Sequence, residues 1–278
     1  IGEPSGARII MRIGPSLIRR FTMSEQSPVI VDVENGIMTI TLNRPEAKNA
    51  VNKALAEGVA AAIDRLESDP ELYVAIVTGA GGTFCSGMDL KGFVRGESPM
   101  IEGRGFAGLC EYRCAKPLIA AVEGYALAGG FEVAISCDLI VASDASKFGI
   151  PEVKRGLAAA AGGLVKLPKQ IPMRIAKEWA LTGDFVPASR AYELGLINQV
   201  VAAGTALEAA KVLAAKIAAN GPLAVAKSKE VVDSAQDWTS DVMFANQNKI
   251  VAAVMRSEDA IEGATAFAEK RAPVWKGR

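Results

Sequence analysis

The stretch Ile119-Ala120-Ala121-Val122-Glu123-Gly124-Tyr125-Ala126-Leu127-Ala128-Gly129-Gly130-Phe131-Glu132 decides how this chain is read. An apolar run ends in a glycine, a glycine pair follows, and a glutamate closes the turn. Twenty residues on, Phe148-Gly149-Ile150-Pro151-Glu152 again sets a glutamate beside a glycine and a proline. The chain has no histidine. Histidine is the usual proton shuttle near neutral pH, so its absence excludes Ser-His-Asp and Cys-His catalysis and any metal site that needs imidazole. If this protein moves protons, carboxylates are the first candidates, tuned by burial and by their neighbours.

Outward from these turns, the same grammar recurs. Pro117 to Val122 is an apolar strand entering the glycine turn, and Gly129-Gly130 with the residues to Cys137 reads as a second turn and a short helix. Tyr73 to Thr78 is a short β-branched run ending in Gly79-Ala80-Gly81-Gly82, and Leu139 to Ala142 is another buried strand. Near the start, Val29 to Val33 and Ile37 to Leu42 flank Asn35-Gly36, a strong hairpin signal. Leu55, Val59, Ile63 and Leu66 recur at helical spacing, which predicts an amphipathic helix over 52–67. Strand, glycine turn and helix repeat without a fixed period, and this predicts an α/β fold whose turns meet at one edge.

After about residue 155 helices dominate. Pro172 to Thr182 is a helix closed by Gly183. Thr205 and Glu208 form a capping-box pattern for a helix to about Ala218, and Pro222 stands at the first position of the next. Asp241 to Val254 and Ser257 to Ala268 are two more. Three regions result: a leader or extension over 1–22, an α/β core over 23–200 and a helical region over 201–278.

The 278 residues are 50% hydrophobic and 22% charged, enough apolar material for a large buried core. Net charge is zero, which argues against a nucleic-acid partner. No apolar run reaches the ~18–20 residues that span a bilayer, so no membrane role is expected. Cys85, Cys110, Cys114 and Cys137 fit no zinc pattern and read as free thiols of a reducing, cytoplasmic compartment. The leader sets Arg8, Arg12, Arg19 and Arg20 among apolar residues, with Glu3 its only acid. It reads as an extension before Met23; as a transit segment it would point to mitochondria.

Glycine turns after buried strands expose backbone N–H groups. Two of them facing each other, Gly79 to Gly82 with Phe84-Cys85-Ser86-Gly87-Met88-Asp89-Leu90 and Gly129-Gly130, would form an oxyanion hole. With two glutamates downstream, the chain resembles the crotonase superfamily, and within it the enoyl-CoA hydratase/isomerase family. The resemblance runs from about Val29 to Arg278. It includes Leu42-Asn43-Arg44-Pro45-Glu46-Ala47-Lys48-Asn49-Ala50, the Phe84–Leu90 loop, the Ile119–Gly130 turn, Cys137-Asp138, Pro151-Glu152, Gly162-Gly163 and Ala266-Phe267-Ala268-Glu269-Lys270-Arg271.

The resemblance implies a spiral of stacked β-β-α units with a helical C-terminal region used for trimerisation, as a homotrimer or a dimer of trimers. It implies an acyl-CoA thioester substrate, with coenzyme A entering as part of that substrate and no separate cofactor or metal. It assigns the backbone N–H groups of Met88 and Gly129 to the oxyanion hole. Glu132 would activate a water for attack on the β-carbon, and Glu152 would deliver a proton to the α-carbon: a syn hydration of trans-2-enoyl-CoA to 3-hydroxyacyl-CoA. Among the residues assigned to substrate and CoA binding, Leu90 and Lys91 would line the CoA path, the Ala47 segment would contact its adenine end, Asp89 would orient the first oxyanion loop or cap a helix, and Lys270 or Lys276 would meet a CoA phosphate. Isomerisation by one glutamate is the alternative within this class, and a non-catalytic acyl-CoA-binding protein the alternative outside it. A cysteine enzyme using Cys85 is the weakest reading, with no histidine to activate the thiol. The chain departs from the family pattern at Met88, where alanine is common, at Leu157 to Gly163, and over Gly92 to Ala115, the stretch that shapes the acyl pocket.

Overall fold

The computed structural model describes residues 27–278; the expected leader over 1–22 lies outside the described residues. Strands β1 (Val29–Glu34) and β2 (Ile37–Leu42) form the antiparallel hairpin expected at Asn35-Gly36. Both turn residues take positive φ, 52° and 75°, the backbone that a tight two-residue hairpin turn needs. Helix α1 (Lys53–Ser68) follows, opened by Asn52, whose side chain accepts the Leu55 N–H, and it buries Leu55, Val59, Ile63 and Leu66. Next come β3 (Val74–Gly79), α2 (Leu90–Val94) and a short hairpin of β4 (Met100–Ile101) and β5 (Gly105–Phe106).

Two units of one design then follow. In the first, β6 (Leu118–Val122) and β7 (Tyr125–Leu127) lead into α3 (Gly129–Ala134). In the second, β8 (Leu139–Ser143) and β9 (Lys147–Gly149) lead into a 3-10 turn, Pro151–Arg155. The remaining elements are α4 (Gly163–Gln170), α5 (Met173–Thr182), β10 (Val186–Pro187), α6 (Ala188–Glu193), β11 (Gln199–Val201), α7 (Ala206–Ala218), α8 (Pro222–Ala235), α9 (Met243–Met255) and α10 (Glu258–Glu269).

The first strand of each unit joins a six-stranded sheet of order β1-β2-β3-β6-β8-β11, parallel from β2 onward. The second strand joins a three-stranded sheet of order β10-β9-β7. In that sheet β7 and β9 are parallel neighbours, with Leu127 opposite Gly149. The helical turns that leave these two residues carry Glu132 and Glu152, so the stacking of two repeats brings the glutamates together.

The central parallel strands β3, β6 and β8 are buried on both faces and read as short apolar runs for that reason. In β3, Ala75 and Val77 face the main core with α1, while Val74 and Ile76 face α7. Ala210 and Ala214 of α7 sit on that second face, where small side chains let the helix lie close to the sheet. The sheet's last strand, β11, spans the division expected near residue 200, and α7 beyond it packs on the same sheet.

The capping box at Thr205 and Glu208 does not form. Thr205 has φ −116° and ψ 2°, away from the extended backbone of a capping residue, and its hydroxyl donates to the Ala202 carbonyl. Glu208 pairs with Lys211 at 2.9 Å, and the free Ala206 N–H donates instead to Glu123 Oε1 at 3.0 Å. Gly183 closes α5 as expected, with φ 64° and its N–H on the Trp179 carbonyl, and Pro222 opens α8. The four cysteines are free and buried. Among the described residues no single helix is long and apolar enough to cross a membrane.

Candidate active site

The two glycine turns are joined along their backbones. Cys85 donates to the Tyr125 carbonyl at 2.9 Å and accepts from the Leu127 N–H at 3.0 Å. Gly87, at φ 106°, lies against the next turn: a Cβ there would meet the Ala128 Cβ at 2.8 Å and the Gly129 nitrogen at 3.3 Å. A Cβ on Gly130 would stand 2.2 Å from the Cys85 carbonyl oxygen. Only glycine fits at these two positions, and the crossing sets residues 87–88 beside Gly129.

Met88 is held from both sides, since Val51 donates to the Gly87 carbonyl and Asp89 donates to the Val51 carbonyl. The N–H groups of Met88 and Gly129 find no acceptor among the described residues. Gly129 begins α3, where the first N–H groups are unpaired by construction. Ala128 just before it has φ 51° and ψ −131°, a backbone that side-chain-bearing residues avoid; its N–H on the Gly149 carbonyl and its own carbonyl, capping Phe131 and Glu132, hold it there.

Both loops face one cavity of about 960 Å³. Glu132 and Glu152 line it, together with Ala47, Met88, Asp89, Leu90, Lys91 and Gly129. Lys270 does not; it is the left-handed residue that ends α10. Lys276 pairs with Glu258 at 2.9 Å, also away from this cavity.

Glu132 is 3% exposed, and its Oε1 accepts the Gly163 N–H at 2.8 Å. Burial pushes its carboxyl from the usual 4.5 up to about 7; the negative charge of Glu152 adds to the rise, while the N–H groups of Gly163 and Ala161 and the Lys166 ammonium oppose it. Burial also raises Glu152, against the pull of its own backbone N–H and of Arg155. Glu152 Oε2 is buried with no hydrogen-bond partner among the described residues. An unpartnered oxygen is tolerated far better on a neutral acid than on a carboxylate. Burial by itself would place the pair's shared proton on Glu132, but Glu132 Oε1 has an N–H donor and Glu152 Oε2 has none, so the geometry favours the charge on Glu132 and the proton on Glu152.

Asp89 does two things. Its carboxylate caps α2, accepting from Lys91 and Gly92, and it pairs with Arg44 at 3.0 Å. Burial pushes Asp89 up, but the Gly92 N–H, the Arg44 guanidinium and the Lys91 N–H hold it below the usual range. Arg44 also donates to the Ala50 carbonyl at 2.6 Å. Cys85 is fully buried and its thiol is pushed up to about 12, which leaves it unreactive. No group of three or more metal-ligating side chains occurs among the described residues.

Over residues 32–278 the sequence matches the family model described as enoyl-CoA hydratase/isomerase. The chain belongs to the enoyl-CoA hydratase/isomerase family. Its fold is the α/β crotonase fold with C-terminal helices, and it is a hydro-lyase of that family. An enoyl-CoA hydratase from Mycobacterium tuberculosis H37Rv is 57% identical and superposes with a TM-score of 0.90, over 91% of this chain and all of that one. A carnitinyl-CoA dehydratase from Proteus mirabilis is 41% identical over 250 residues, 87% of this chain and 95% of its own length. A carnitinyl-CoA hydratase structure from Mycobacterium avium is 42% identical with a TM-score of 0.72, over 91% of this chain and all of that one.

Seen as an enoyl-CoA hydratase/isomerase family site, the cavity depends on residues to which the sequence reading gave no role. Asn49 is fully buried at φ 55°; its side chain donates to the carbonyls of Ala80 and Thr83 and accepts the Arg44 N–H, tying the loop with Ala47 to the loop before Met88. The Gly163 N–H that fixes Glu132 is backbone, and no residue letter announces it. The signal available was the Gly162-Gly163 pair opening α4.

Proposed function

We propose that this protein adds water across the double bond of a trans-2-enoyl-CoA with an uncharged acyl chain, giving the 3-hydroxyacyl-CoA. The carrying observation is that a buried glutamate, Glu132, and a half-buried one, Glu152, face the same cavity as two N–H groups that have no acceptor among the described residues. A binding module needs no such pair, and a one-base isomerase needs only half of it.

In this reading the thioester oxygen lies between the N–H groups of Met88 and Gly129. A water sits between the glutamates. Glu132, ionised and held by Gly163, takes a proton from the water as its oxygen bonds to the β-carbon. The π electrons move toward the thioester, and charge builds on the oxygen that the two donors already face; preorganised donors of this kind each lower a barrier by about 3 kcal/mol. Glu152 gives its proton to the α-carbon from the same side. The pair ends with its proton on Glu132 and its charge on Glu152, and solvent exchange resets it.

Two relatives named above act on carnitinyl-CoA, whose acyl group carries a quaternary ammonium. The stretch that shapes the acyl pocket contributes Phe93, Met100 and Phe106 here, and the opposite wall contributes Leu157, Ala158, Ala160 and Ala161. Besides the catalytic pair the lining carboxylates are Glu46 and Asp89, the latter neutralised by Arg44. Glu46 stands beside Ala47 on the loop expected along the CoA path and is itself 3.9 Å from Arg44, so no carboxylate stands among the acyl-pocket residues named here to answer a cationic tail, which supports an uncharged chain.

The test is loss of the conjugated enoyl-thioester absorbance with a short-to-long series of enoyl-CoA substrates. Glu132→Gln and Glu152→Gln should each lower kcat by about 10²–10⁴-fold while CoA-thioester binding persists. Turnover that survives Glu132→Gln and disappears in Glu152→Gln would make single-base isomerisation the better account. Preference for a carnitinyl thioester over every uncharged chain would overturn the substrate class.

A further inference from the structure

Close to Glu132, but not among the residues that line the cavity, stands a half-buried lysine that the reaction as described does not use. Lys166 lies in the first turn of α4, one turn beyond Gly163. Its ammonium donates to the Cys110 carbonyl at 2.6 Å and to the Ser136 hydroxyl at 2.7 Å. Ser136 in turn donates to the backbone carbonyl of Glu132 at 2.6 Å. The Lys166 stem packs under the loop that enters α4: a Cβ on Gly162 would meet its Cε at 3.3 Å.

One side chain therefore joins three parts of the site. These are the loop whose Gly163 N–H holds the Glu132 carboxylate, the backbone that carries Glu132, and the segment after β5. That last segment is tied back to Phe106 of β5 by the Cys110 N–H on the Phe106 carbonyl, and Gly129 packs against Phe106 so tightly that a Cβ there would stand 2.5 Å from its ring. Burying an ammonium is costly, and an apolar residue of similar length would fill the space more cheaply if packing were the only demand.

We propose that Lys166 is a positioning residue for the hydration: it locks the Gly163 donor and the Glu132 backbone in one geometry and sets a fixed positive charge near the Glu132 carboxylate. The inference rests on the role given to Glu132 above. The charged and titratable groups around Lys166 are Glu132 on α3, Cys137 after it, and Cys110 and Glu111 after β5. Both thiols are raised by burial and stay neutral, so Glu132 and Glu111 are the anions that answer the ammonium. Glu132 itself faces Glu152 and Lys166. Removing the lysine charge leaves Glu152 as the dominant charge on Glu132, and its ionisation moves upward.

The experiment compares the parent with Lys166→Met, which keeps length and removes charge, and Lys166→Arg, which keeps charge. Two readouts are taken: kcat and KM for an enoyl-CoA across pH, and titration of Glu132 followed by its ¹³C carboxyl resonance. Lys166→Met should lower kcat by about tenfold with little change in KM and move the acid limb up by about one unit, and Lys166→Arg should restore both toward the parent. If Lys166→Met does not fold, Ser136→Ala takes its place; it cuts the link to the Glu132 backbone and should move the titration in the same direction. A parent-like Glu132 titration in the folded variant overturns the inference, as does an equal loss in the methionine and arginine variants. If the parent hydrates no enoyl-CoA, the reading of the reaction fails, while the carboxyl titration still decides whether Lys166 governs Glu132.

Discussion

Glu132 holds a carboxyl where little water reaches it, and this has a thermodynamic sign. Its folded-state value, about 7, lies above the ordinary 4.5 it regains on unfolding. Between those two values the folded protein binds more protons than the unfolded one, so this group's contribution is fully present below about pH 4.5 and is lost as pH rises through about 7. Above that range the ionised Glu132 costs about 3 kcal/mol. A glutamine accepts the Gly163 N–H as well as a glutamate does and does not titrate. Glu132→Gln should therefore melt close to the parent at pH 4.5 and higher than the parent at pH 8, by about 5 °C or more. Melting curves at both pH values check this, and a difference that does not change with pH sinks it. The sequence exposed Glu132 because histidine is absent and a glycine turn precedes it. It did not expose the Gly163 donor or Lys166. Those act across 30 or more residues, one through its backbone and the other as a lysine that looks like any surface lysine until α4 packs it against Cys110 and Ser136.

The elements that were legible carry their signals locally. Helix α5 is bounded by its period and by Gly183, and α1 by Asn52 and its apolar stripe. The strands of two or three residues were not legible, because β4, β5 and β10 exist through partners supplied by the fold rather than through any run of their own. The end of α5 also has a duty that no cap pattern reveals. A Cβ on Gly183 would stand 3.1 Å from the Cα of Pro151 and from Val153, within the 3-10 turn that carries Glu152. Gly195, at φ 76°, has nothing within 4 Å of that position and serves as the control. Gly183→Ala and Gly195→Ala should each lose about 1 kcal/mol from the left-handed backbone. Only Gly183→Ala should also lower kcat, because it displaces the turn beneath Glu152. Denaturant midpoints and turnover numbers for both variants test the claim; equal kcat in the two would show that α5 does not buttress the catalytic turn.

At the scale of the molecule, the α/β body was readable because buried parallel strands leave short apolar runs, and the stacking of β7 on β9 then brings Glu132 and Glu152 to one cavity. The C-terminal helices pose the opposite case: their periods are clear, but the fold of one chain does not use them fully. Neither α8 nor α9 buries a single residue within the described chain. Val232, Phe244, Met255 and Phe267 are exposed, the last at 88%. A helix stripe of this kind is stable when something covers it, and apolar surface of this extent marks an interface. We propose that a second and third copy of this chain cover it, in a trimer or a dimer of trimers. Light scattering on the purified protein should then give three or six times the 29.1 kDa chain mass. Phe244→Glu combined with Phe267→Glu, which buries charge in that interface, should shift the mass toward a single chain and make the melting temperature of the remaining oligomer depend on concentration. A parent that runs at one chain mass, or a double variant that assembles like the parent, would place the covering of α8 and α9 elsewhere and remove the reason for their apolar faces offered here.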